Sequence, residues 1–70
     1  MSDREILEMA EARVLLYSYF AAKRTYGGTQ ANSFLIKQLK SLEKFYGKDS
    51  GDRLKANMRT VATEELLIDT

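Results

Sequence analysis

The stretch that most constrains this chain is residues 3–26, which has the period of a helix but more apolar surface than one neighbouring helix can cover. At about 100° per residue, Leu7, Ala10, Val14, Tyr17 and Ala21 align in one stripe, and Met9, Ala12, Leu16, Tyr19 and Phe20 in a second. Arg13 falls between the two, projected among Ile6, Met9, Tyr17 and Phe20. Arg4, Glu8, Glu11 and Ser18 form a polar strip that reads as the solvent side, with Arg4 and Glu8 spaced for an i, i+4 ion pair. A helix with two apolar stripes must be enclosed from several sides, by the rest of the chain or by a second copy of it.

Start and stop signals divide the chain into three helices. Ser2-Asp3-Arg4-Glu5 fits a capping box, Lys23 and Arg24 suit the negative end of the helix dipole, and Gly27-Gly28 supplies the break. A second helix is expected over residues 30–46, capped by Thr29 and ended by Gly47. Its apolar face holds Ala31, Phe34, Leu35, Leu39, Leu42, Phe45 and Tyr46; Lys37, Lys40 and Lys44 stand opposite, and Ile36 falls off the stripe. A third helix is expected over residues 52–67, with Asp49, Ser50 or Asp52 as its cap and a thin stripe of Leu54, Met58, Val61, Ala62 and Ile68 that also contains Glu65.

There is no proline, repeat or linker, so residues 1–70 read as one α-helical domain with short connections. A chain of this length buries only about 60% of its unfolded surface, and without Cys or His it has neither disulfide nor imidazole-bound metal as a staple. The expected architecture is therefore an all-α three-helix unit completed by homodimerisation.

Most catalytic classes lose their residues here. General acid–base and nucleophilic chemistry would have to run without His or Cys, on carboxylates assigned to solvated helix faces. Gly47-Lys48-Asp49-Ser50-Gly51 lacks both the spacing and the terminal Lys-Ser/Thr of a phosphate loop, and a calcium loop counted from Asp49 meets Thr60 where a carboxylate is required. Neither enzyme activity, cofactor nor metal is expected. No apolar run approaches the ~20 residues of a membrane span, and the acidic, amphipathic start is unlike a secretion signal, so a cytoplasmic protein is the expectation.

What remains is binding. The expected function is that of a small helical module, an adaptor or regulator that binds a partner protein and itself, using Arg13, Met9, Leu16, Tyr17, Phe20 and Glu65. Arg13 either snorkels between packing surfaces or pairs with Glu65, the one carboxylate set in an apolar stripe. The alternative is a nucleic-acid-binding regulator that tracks phosphates with Lys37, Lys40 and Lys44, with Lys23 and Arg24 beside the glycine break as further anion contacts. A net charge of +1 and a lysine face without arginine or aromatics count against it.

Overall fold

The computed structural model describes residues 2–66 and folds them into three helices, α1 (Asp3–Tyr26), α2 (Gly28–Tyr46) and α3 (Ser50–Glu64), with no strand among the described residues. α1 starts at the expected capping box: the Ser2 hydroxyl accepts from the Glu5 backbone N–H at 3.2 Å, and the Glu5 carboxylate accepts from the Ser2 backbone N–H at 3.5 Å. It ends at Gly27, whose φ of +94° favours a residue without a Cβ, and whose N–H caps the Lys23 carbonyl.

The two later helices start earlier than expected. Gly27 itself serves as the N-cap of α2, so Thr29 lies inside the helix and gives it no side-chain cap. α3 begins at Ser50, which is buried and donates its hydroxyl to the Gly47 carbonyl at 2.7 Å. Gly47, at φ +101°, turns the chain there. Gly51 is buried in the first turn of α3, with the Glu43 carboxylate of α2 lying where a Cβ would project. α3 stops at Glu64; Leu66 packs half-buried against the core, and the expected extension to Leu67 and the contribution of Ile68 lie outside the described residues.

α1 packs against both other helices, while α2 and α3 meet over a shorter stretch. The core is Ala12, Leu15 and Leu16 of α1, Leu39 of α2, and Leu54, Met58, Val61 and Ala62 of α3, with Met9, Phe20, Leu35 and Leu42 half-buried around it. The Cα atoms fill a shallow slab of 34 × 27 × 15 Å. Three helices in such a slab leave the outer side of α1 without a covering layer.

Which side is outer is the main departure from the sequence reading. Glu8, assigned to the solvent, is only 4% exposed, and Glu11 and Ser18 are half-buried beside it. The stripe Leu7, Ala10, Val14, Tyr17 and Ala21 is exposed instead. Phe34 and Phe45, assigned to the inner face of α2, are exposed too, Phe45 at 83%. The physical reason is that the second stripe and the polar strip lie on adjacent arcs of α1, so α2 and α3 can close over both once Glu8 has charged partners.

Candidate functional site: the uncovered face of helix 1

Burial of Glu8 is made possible from two helices. Arg53 of α3 donates from Nε to Glu8 Oε1 at 2.8 Å and from Nη2 to Oε2 at 3.5 Å, and Arg4, one turn before Glu8, donates from Nε to Oε2 at 3.2 Å. The hydrogen bond from Arg53 is the main reason the Glu8 carboxyl is held below its ordinary value of 4.5, against the opposing effect of burial. Both arginines keep a side exposed to water, so the pairs neutralise a buried anion without burying two cations. A cleft of about 560 Å³ opens over this cluster between Ser2, Glu5 and Asn57. Its carboxylate is fully engaged, and no buried side-chain polar atom among the described residues lacks a partner. The cluster ties α1 to α3 and leaves no oxygen free for a ligand. Sequence reasoning noticed the Arg4–Glu8 spacing; the pairing of Glu8 with Arg53 across 45 residues has no local signal.

The residues expected to form an interface separate into two groups. Leu16 is buried in the core, and Met9 and Phe20 pack against it, so these three build the fold and leave the free surface to others. Tyr17 is 53% exposed on the outer face. Arg13 sits at the edge of that face and meets Glu65 across the helix packing: its Nε donates to both carboxylate oxygens, at 3.0 and 2.9 Å. Both partners are nearly half exposed, so this is a surface pair rather than a buried one. Lys37, Lys40 and Lys44 project into solvent as expected, as do Lys23 and Arg24 at the end of α1.

The outer face has a regular construction. Its positions are Asp3, Leu7, Ala10, Val14, Tyr17, Ala21 and Arg24, all exposed and spaced alternately by four and three residues. That is the 3.5-residue period of a helix–helix seam rather than the wider stripe of a helix packed into a globule. Leu7 and Val14 are 54% and 61% exposed. The face continues toward α2 across two shallow grooves. One, of about 350 Å³, runs from Ser18 and Ala21 to Phe34, and the other, of about 420 Å³, from Glu11 to Phe45. A third concavity, about 330 Å³, opens onto the core between Leu16, Phe20, Leu35 and Met58 with Lys55 and Arg59 at its rim.

No helix among the described residues is long and apolar enough to cross a membrane, and no cluster of three potential metal ligands occurs among them. Comparison with protein families, with characterised proteins and with solved structures finds no match.

Proposed function

We propose that this chain is a non-enzymatic interaction module that binds a partner protein through the outer face of α1. The observation that carries this reading is the exposure of Leu7, Val14 and Tyr17 in one line, flanked by Phe34 and Phe45. Single exposed apolar residues are ordinary, but a contiguous row on a small domain is the usual mark of a contact surface. Two of the carboxylates that acid–base work could use are committed to structure: Glu8 is held between Arg4 and Arg53, and Glu65 is paired with Arg13.

The alternative, phosphate tracking by Lys37, Lys40 and Lys44, draws on three exposed cations that form no ion pair among the described residues. Arg53, a further cation on α3, is engaged by Glu8. One experiment separates the two readings. Tagged wild-type chain, a Leu7→Ser/Val14→Ser variant and a Lys37→Gln/Lys40→Gln/Lys44→Gln variant are used for capture from nuclease-treated lysate and for binding to a labelled DNA or RNA duplex. The proposal expects protein capture to fall at least tenfold in the serine variant and to survive in the glutamine variant. Salt-sensitive duplex binding that only the glutamine variant loses would replace it with the nucleic-acid reading. Both sets of substitutions lie on exposed positions and should leave folding intact, within about 0.5 kcal/mol.

A further inference from the structure

Resting on that reading, we propose that the occupant of the outer face is a second copy of this chain, with the two α1 helices antiparallel and a twofold axis passing near Val14. Three observations point to this partner. The first is the alternating four-and-three spacing from Asp3 to Arg24, which keeps one line of contact along the whole helix only against another helix at a shallow crossing angle. Ala10 and Ala21 on that line permit close approach.

Charge decides the direction. The line begins at Asp3 in the first turn and ends at Arg24 in the last, and neither makes an ion pair among the described residues. Antiparallel copies bring Asp3 of one protomer to the Arg24 end of its partner, twice, and also align the helix dipoles favourably. A parallel pair would set Asp3 against its own copy and Arg24 against its own copy.

The third observation is the Arg13–Glu65 pair. Arg13 borders the seam one residue from the axis, where symmetry brings it toward its own copy. Glu65 neutralises it there, so two guanidinium groups meet as two ion pairs instead of as bare like charges. An isologous contact of this kind closes after two copies and does not propagate.

The seam is narrow. A helix of 24 residues presents a strip ~36 Å long and ~10 Å wide, less than half of the ~800 Å² per partner of a standard stable interface. Phe34 and Phe45 widen it toward α2, and the expected dimer is weak, with a dissociation constant on the order of tens of micromolar.

The chain contains no cysteine, so single Cys substitutions on the outer face report its neighbours directly. In the antiparallel dimer Val14→Cys lies beside its own copy and forms a disulfide-linked dimer on mild oxidation. Leu7→Cys lies ~21 Å from its own copy, a separation of about 14 helical residues, far beyond the ~7 Å Cα limit for a disulfide. It should therefore link only when mixed with Ala21→Cys. Circular dichroism of each reduced variant checks that the fold is retained. Sedimentation equilibrium of the unsubstituted chain from about 5 to 500 µM should show a monomer–dimer equilibrium, weakened at least tenfold by Val14→Glu. Self-linking of Leu7→Cys and Ala21→Cys as readily as Val14→Cys would overturn the antiparallel arrangement. A monomer throughout the concentration range would overturn self-association and, if the serine variant still loses protein capture, would leave the face to a different protein. Loss of both results would remove the interaction reading as well.

Discussion

The two sides of α1 are built from nearly the same stock of residues and meet opposite fates. The inner side holds Ala12, Leu15, Leu16 and the charged Glu8; the outer side holds Ala10, Val14, Leu7 and Tyr17. By apolar content the outer side has the stronger claim to burial, since the inner one carries a carboxylate. What the inner side has is partners. Leu54, Met58, Val61 and Ala62 present a matching apolar stripe from α3, Leu39 closes from α2, and Arg53 reaches the single charge. Burial follows the complementarity of the neighbours as well as the hydrophobicity of the stripe, and an anion with two guanidinium groups in reach can be interior while a valine stays in water.

The largest expected effect sharpens this contrast directly. Leu16→Ala removes a buried side chain of the core shared by all three helices and should cost about 2–4 kcal/mol. In a domain whose total stability is of the order of 3–5 kcal/mol, that removes most of the cooperative transition in a urea titration. Val14→Ala, a smaller aliphatic truncation on the outer side, should change the stability by no more than about 0.5 kcal/mol when measured at low micromolar concentration. Similar losses at both positions would show that the outer side is packed.

Next in size is Glu8. Its replacement by Gln keeps the shape but weakens the bonds to Arg53 and Arg4, and should cost about 1–3 kcal/mol. Glu8→Leu should recover part of that, because an apolar residue of similar volume has no desolvation cost to offset. The pH dependence carries a sign. The folded carboxyl titrates below its ordinary 4.5, so the unfolded chain takes up the proton first as the pH falls. Glu8 therefore contributes its full stabilisation above pH 4.5 and loses it as the pH drops through the lowered folded value. Subtracting the Glu8→Gln stability curve from that of the wild type should leave a difference that is flat above pH 5 and shrinks below it; a constant difference down to acid denaturation would mean that Glu8 is not paired in solution.

Helix number, order and the bounds of α1 were legible because they rest on local signals: a capping box at Ser2–Glu5, two glycine breaks and a helical period. The thin α3 stripe was legible too: Leu54, Met58, Val61 and Ala62 line up on one side and all four are buried. The orientation of α1 was not. Its apolar residues are spread around most of the helix, so projection finds two stripes without saying which one the neighbours cover. The deciding information is Arg53, 45 residues from Glu8 in sequence. Phe34 and Phe45 illustrate the same gap: they share a wide arc with Leu39 and Leu42 on a projected wheel, but they stand at its edge and stay in water. Of the residues named as interface candidates, Tyr17 is exposed on the outer face with Arg13 at its edge, paired to Glu65, whereas Leu7 and Val14 were seen as a stripe without being recognised as the free one.

The smallest effect is expected at the pair on the border between the two sides. Arg13 and Glu65 are joined by well-formed hydrogen bonds, and Glu65 raises the Arg13 pKa further, chiefly through those bonds. An arginine already charged at every accessible pH gains no pH-dependent stability from that shift. Each partner keeps a large exposed fraction, so water and salt screen the attraction, and most of what the pair contributes is lost to side-chain ordering. In a dilute monomer, Arg13→Met, Glu65→Leu and the double variant should melt at nearly the same temperature in 0.15 M salt, with effects that add. Coupling should emerge only when the solution is concentrated enough for the outer faces to meet, because a covering copy removes the water that screens the pair. A strong non-additive coupling that is independent of concentration would place Arg13 inside a single chain's packed interior and move the boundary between the two sides of α1.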